Sequence, residues 1–260
     1  MNKPLVGMSL KNYINSPVES RKLSVEIVEL TKYLIETTKV DIFLLPSIGT
    51  LESVSKVLEN SKIKFGAQNI APYKVGPYTG EYSIESLIEL NGKYVEIGHH
   101  ERRTIFHEEN AMIKKKLILA LENGLYPILC IGESETNLSD NELKSILNDQ
   151  IISVIPEIDM LESERIILAY EPGWAIGKQQ PASTKHVHRV HELINQVLIN
   201  QFGLDIASNI RIIYGGSVSK DSVKDIVNNK FVAGVFVGRF GHNPTDFLDI
   251  IKKVIEIKEG

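Results

Sequence analysis

Three residues of different chemistry fall where apolar runs of the sequence end. Glu171 closes RIILAYE (165–171) and precedes PGWAIGKQQPAS, in which two prolines bracket two glycines. That segment reads as a hinged lid over about 172–182. A carboxylate beneath a closing lid loses water and gains basicity, which suits it to remove a proton beside a carbonyl. His99 lies in EIGHHERR (96–103), at the end of a strand-like run and the start of a helical one. A helix start disfavours further positive charge, and a neutral imidazole can donate a hydrogen bond to a carbonyl oxygen. Lys11 follows the first apolar run, where an ammonium can neutralise an anionic substrate and a developing enediolate. Gly177 in the lid, Ser217 in YGGSV and Gly238 near the last apolar run can bring backbone amides and a hydroxyl close to a phosphate. Taken singly, each has a plainer reading: an ion-paired glutamate, a structural histidine, a solvated lysine, glycines that punctuate turns.

The elements that must position these groups are eight short apolar runs, at 4–10, 41–47, 63–69, 94–100, 126–132, 165–171, 210–216 and 234–240. Helical patterns separate them, such as Leu23, Ile27, Leu30 and Leu34 at the spacing of a core-facing stripe. Nearly continuous apolar strands imply burial on both faces, as in a parallel sheet covered by helices. Eight β-then-α units in 260 residues predict an α/β fold, a (β/α)8 barrel in a single domain spanning 1–260. An open doubly wound sheet would carry Gly-x-Gly-x-x-Gly after its first strand, and GMSLKNYIN lacks it. Ser9, Lys11, Gln68, His99, Glu133, Glu171 and Ser217 all fall at or just past the carboxyl ends of these strands, where barrel active sites are built.

Composition narrows the partners. Twenty-nine Lys and Arg against 33 Asp and Glu give a formal charge of −4, so no broad basic field invites nucleic acid or an anionic membrane. No apolar run approaches the length of a membrane helix. The single cysteine, Cys130, has no internal disulfide partner, and the opening MNKPLVGMSLKNY has no signal-like apolar stretch, which points to a cytoplasmic protein. Cys130 reads as a packed thiol, and His186, His188 and His191 as the solvated face of a helix rather than a metal site.

The strings Gly-His-x-Glu-Arg-Arg (98–103) and AYEPGWAIG (169–177), with FGAQN, PILCIGE and YGGS, make the chain resemble triosephosphate isomerases from its first strand to its eighth. The resemblance implies a barrel isomerase with Glu171 as base, His99 as electrophile, Lys11 as the positive charge and Glu101 in support. Phosphate would be held by Gly177, Ser217 and Gly238, with Ser9 and Arg239 at its edges. It implies no metal and no organic cofactor, a small phosphorylated sugar as substrate, and a homodimer through GPYTGE (76–81), with Thr79 reaching the neighbouring site.

The chain departs from that pattern in several places. Ser9-Leu10-Lys11 replaces Asn-Trp-Lys, His100 replaces the serine after the histidine, Gly173 stands at the first hinge of the lid, and Gly238-Arg239 replaces Gly-Gly. Arg239 either binds phosphate or points outward. Paralogues acting on four-carbon ketose phosphates share some of these features. The expected activity is therefore interconversion of dihydroxyacetone phosphate and glyceraldehyde 3-phosphate, with an isomerase of erythrulose phosphates as the near alternative. A catalytically silent barrel that binds a phosphorylated metabolite is the more distant one.

Overall fold

The computed structural model describes residues 3–37 and 40–259. Eight strands, β1 (Leu5–Ser9), β2 (Asp41–Leu45), β3 (Lys64–Ala67), β4 (Tyr94–Ile97), β5 (Tyr126–Ile131), β6 (Ile167–Tyr170), β7 (Arg211–Tyr214) and β8 (Gly234–Val237), pair in parallel and in chain order. β1 and β8 close the barrel, with Leu5 opposite Gly234 and Met8 opposite Val237. All eight apolar runs of the sequence become strands, each ending one to three residues inside the predicted limits, because the final residues turn out of the sheet to form the site.

Alternation sorts each strand between two cores. Leu5, Phe43, Leu45, Tyr94, Ile128, Cys130, Ile167, Ala169, Ile213 and Phe236 fill the barrel interior. Val6, Met8, Leu44, Val95, Ile97 and their counterparts face the surrounding helices. The interior alternates large with small: Phe43 stacks on Tyr94 at 4.5 Å, and a Cβ on Gly7 would lie 2.0 Å from the Phe43 ring. Volume, more than hydrophobicity alone, thus fixes Gly7 opposite Phe43.

The outer layer comprises α1 (Pro17–Thr37), α2 (Leu51–Leu58), α3 (Ile84–Glu89), α4 (His100–Thr104), α5 (Asn110–Glu122), α6 (Asp140–Ile152), α7 (Met160–Arg165), α8 (Thr184–Asn209), α9 (Val223–Val227) and α10 (Pro244–Glu259). The stripe expected on α1 is rotated slightly. Leu23 and Ile27 are buried, but Leu30 is 39% exposed and Thr31 is buried in its place, its hydroxyl bonded to the Ile27 carbonyl at 2.7 Å. Back-bonding satisfies the hydroxyl, so Thr31 fits an apolar seam that sequence periodicity assigned to a leucine.

One buried ionic group fixes the short helix α4 that follows β4. Glu108 accepts from Arg102 Nε at 2.6 Å and from the fully buried Lys116 of α5, whose Nζ also donates to Asn69 Oδ1 at 2.8 Å. The network joins α4, α5 and the turn after β3. Losing Lys116 would leave Glu108 buried with Arg102 as its remaining cation, a cost near the low end of the roughly 3–5 kcal/mol for a broken buried pair. Lys116→Met should therefore lower stability in denaturant unfolding by about 3 kcal/mol, and Lys116→Met/Glu108→Leu should recover most of that loss.

Candidate active site

Lys11 leaves β1 in the left-handed region, with φ of 42°. That conformation costs a residue with a side chain about 1–3 kcal/mol and persists only where surrounding bonds enforce it. Gln68 supplies them: its Nε2 donates to the Lys11 carbonyl at 3.1 Å and to the Leu45 carbonyl at 3.0 Å. The turn aims the ammonium across the barrel mouth, where Nζ donates to Glu101 Oε1 at 2.7 Å and lies 3.4 Å from His99 Nε2. Burial pulls the ammonium pKa down, but the Glu101 hydrogen bond and the charges of Glu171, Glu101 and Glu96 outweigh it, so the net shift is upward and Lys11 stays charged.

His99 caps α4. Its Nδ1 accepts from the Glu101 amide at 3.1 Å, which leaves the proton of the neutral ring on Nε2, the nitrogen that faces the cleft. Burial, then Lys11 and His100, hold the imidazole well below its usual range, so it is neutral near pH 7. Neutrality was expected from the helix start alone; here desolvation and the neighbouring cation are the larger causes.

Glu171 follows β6 and is 4% exposed. Its Oε2 lies 3.2 Å from His99 Nε2 but off hydrogen-bond alignment, and so has no partner. Burial raises the carboxyl to about 8, opposed chiefly by Lys11 and reinforced by Glu101. A Cβ on Gly215 would lie 2.7 Å from Glu171 Cγ, so the YGGS turn is glycine partly to leave room for this carboxylate.

Ser9, Lys11, His99, Glu101 and Glu171 line one cleft with Gly177, Ser217, Gly238 and Arg239. Two of these have a further duty. Ser217 Oγ donates to the Ala175 carbonyl at 2.8 Å, and Arg239 Nη2 donates to the Gly177 carbonyl at 2.8 Å while lying over the Tyr13 ring. Arg239 thus turns toward the cleft and holds the 172–182 segment. Thr79 is exposed and does not line its own chain's cleft.

The first hinge of that segment is bound to Glu133, two residues past the end of β5. Its carboxylate accepts from Trp174 Nε1 at 2.9 Å and Tyr170 Oη at 3.0 Å, and its carbonyl accepts from the Gly173 amide at 2.7 Å. His186 Nε2 lies 3.0 Å from the same carboxylate. The histidine triplet of α8 therefore does not form a solvated face: His186 is half-buried on Glu133, His188 meets the carbonyls of α9, and His191 is fully buried with Nδ1 2.8 Å from the Val187 carbonyl. They do not share one side of the helix: His186 meets Glu133 past the end of β5, His188 meets α9, and His191 lies against the rings of Tyr170 and Tyr214.

Two departures from the family pattern meet in space. A Cβ on Gly173 would lie 2.4 Å from the His100 ring, so the imidazole occupies the space of a side chain at the hinge. Sequence reading passed over Glu96, a buried carboxyl that also lines the cleft. The signal was present: in YVEI the third residue shares the inward face with Tyr94, a position for an apolar side chain.

A model of the family described as triosephosphate isomerase matches residues 4–254. The chain is 46% identical to triosephosphate isomerase 2 of Listeria innocua over 259 residues, covering 99% of this chain and all of that one. It is 45% identical to a probable triosephosphate isomerase 2 of Listeria monocytogenes, with 99% and 100% covered. Triosephosphate isomerase of Dictyoglomus turgidum is 34% identical over 252 residues, 97% of this chain and 100% of the relative. With a closed eight-stranded barrel and its strand-end cluster of Glu171, His99 and Lys11, these matches mean that the chain belongs to the triosephosphate isomerase family.

Proposed function

We propose that this chain interconverts dihydroxyacetone phosphate and glyceraldehyde 3-phosphate through an enediolate. The observation that carries this reading is the 3.2 Å approach of the Glu171 carboxylate to the protonated Nε2 of a neutral His99, beside the Lys11 ammonium. Ionised Glu171 takes a proton from C1 of the ketose. His99 Nε2–H donates to the C2 carbonyl oxygen, and Lys11 balances the charge that develops there. Return of the proton from Glu171 to C2, with movement of the hydroxyl proton between O2 and O1, yields the aldose. Glu101 holds Lys11 in place. Phosphate sits at the turns of Gly177, Ser217 and Gly238, while Arg239 and Ser9 border the cleft. Side chains perform both transfers, so the reaction calls for no metal or organic cofactor. Names of the relatives support the triose substrate, and no observation favours a four-carbon one.

The 172–182 segment is the lid of this site, hinged on Glu133. A homodimer forms through the exposed 76–81 loop, whose Thr79 enters the open groove beside Gln68, Glu101, Arg102 and Phe106 of the other protomer. A buried free thiol at Cys130 accords with a reducing cytoplasm. Among the described residues no helix is long and apolar enough to cross a membrane.

Purified protein should isomerise dihydroxyacetone phosphate in a coupled assay, with Glu171→Gln as the inactive control; no Glu171-dependent turnover would favour the silent barrel instead. Glu171→Asp retracts the carboxylate by one methylene and should lower kcat about 100-fold or more with little change in KM. Because the base must be ionised, kcat/KM should rise with pH toward about 8. The same shift has a stability counterpart. Between the ordinary value of 4.5 and about 8 the unfolded chain ionises while the folded chain keeps the proton, so this group destabilises the fold increasingly as pH rises. Glu171→Gln should therefore gain more in thermal midpoint over wild type at pH 8 than at pH 5. Light scattering should give twice the 29.1 kDa chain mass, and Thr79→Arg should shift it toward one chain and reduce kcat.

A further inference from the structure

Glu96 is the buried carboxyl for which the isomerisation just described finds no use. It lies on β4 two residues beyond Tyr94, on the face that looks into the barrel. The interior below it is filled with apolar side chains and Cys130, and Glu96 itself is 3% exposed. A leucine there would extend the apolar packing at no desolvation cost, whereas an ionised carboxylate loses several kcal/mol of hydration. No lysine or arginine lies within ion-pair distance of Glu96 among the described residues, since Lys11 is engaged by Glu101. Its two close polar neighbours both meet Oε1: Cys130 Sγ at 3.9 Å and His99 Nε2 at 4.0 Å. Burial first, then the charge of Glu171, pushes the group well above the usual carboxylate range and so favours its protonated form.

Its position selects what it meets. One oxygen of Glu96, Nε2 of His99 and one oxygen of Glu171 lie within 4.8 Å of one another, so a molecule engaged by both the base and the electrophile comes within reach of Glu96. The turns assigned to phosphate follow β6, β7 and β8, and in a closed ring of eight strands β4 stands opposite β8. A substrate with phosphate on the β8 side therefore turns its other end toward β4.

We propose that Glu96 is a specificity-determining residue of this site, whose carboxyl group hydrogen-bonds the oxygen-bearing end of the substrate remote from phosphate, the C1 hydroxyl of the ketose and the C1 aldehyde of the aldose. This rests on the isomerase reading. In its protonated form the carboxyl accepts from or donates to the C1 hydroxyl, and donates to the aldehyde oxygen that replaces it. A neutral acid in an apolar pocket is suited to that exchange, because it both donates and accepts without adding a second negative charge beside the enediolate.

The test compares wild type with Glu96→Leu and Glu96→Gln in steady-state isomerisation of both triose phosphates, using inorganic phosphate as competitive inhibitor. Glu96→Leu should melt no lower than wild type and lose roughly tenfold or more in kcat/KM, the value of about one hydrogen bond. Glu96→Gln, which can also donate and accept, should stay within about threefold of wild type. The inhibition constant of inorganic phosphate should be unchanged in both variants, because the phosphate turns lie across the barrel. Wild-type kcat/KM in Glu96→Leu would overturn the proposal. So would equal damage in both variants, or a parallel loss of phosphate inhibition, which would mark general distortion of the pocket. A wild-type protein without isomerase activity would instead remove the reading on which the proposal stands.

Discussion

Three carboxyl groups and one ammonium share the corner where the barrel opens, and the site depends on how that single positive charge is divided. Lys11 donates to Glu101, lies against His99 Nε2, and opposes the effect of burial on Glu171. Without it, desolvation would hold the protons of Glu171 and Glu96 still more tightly. With it, one of the two can ionise. The ammonium reaches this point only because Lys11 adopts a left-handed backbone held by Gln68, so a side-chain amide on the turn after β3 sets the electrostatics of a carboxylate on β6. The packing interaction and the charge interaction are inseparable here.

The same economy governs the segment over the cleft. It is bound through its own main chain, at the Gly173 amide by Glu133, at the Ala175 carbonyl by Ser217, at the Gly177 carbonyl by Arg239 and at the Ala182 amide by Tyr214 Oη. Trp174 adds a side-chain tie to Glu133, while residues 177–180 are exposed. Strands β5, β7 and β8 thus all influence how the segment sits over Glu171.

Much of this was legible before any coordinates. Eight apolar runs gave eight strands because a parallel barrel buries both strand faces, so the signal is strong and continuous. Glu171, His99 and Lys11 were legible because each breaks an apolar run at the end where the strands open to solvent. Glu101 was named only through the family likeness, since a glutamate in the first turn of a helix is ordinary. Glu96 escaped notice because it lies inside the apolar run, where a charged letter among YVEIG looks like a fluctuation; its meaning depends on the inward face, which alternation supplies only once the register is known. The α8 histidines and the Leu30/Thr31 exchange failed for the opposite reason. Helical spacing says which residues share a side, but tertiary packing decides which side is wet, and histidine and threonine can each place a polar atom against a carboxylate or carbonyl within a buried seam. The direction of Arg239 was undecidable because its acceptor, Gly177, is 62 residues distant.

His100 and Gly173 carry a consequence for the history of this chain. The ring at 100 fills the volume that a side chain at 173 would claim, so with the imidazole in this orientation the two positions are coupled. A lineage can pass from the common pattern to this one by way of glycine at the hinge, where the vacated space is later filled. The other order requires the imidazole to turn away from the hinge. Travel back is gated in the same way, since the hinge regains a side chain only when the imidazole turns aside or is replaced. The pair acts as a ratchet on sequence change, and substitutions borrowed singly from other members of the family should be judged by whether their counterpart moved with them.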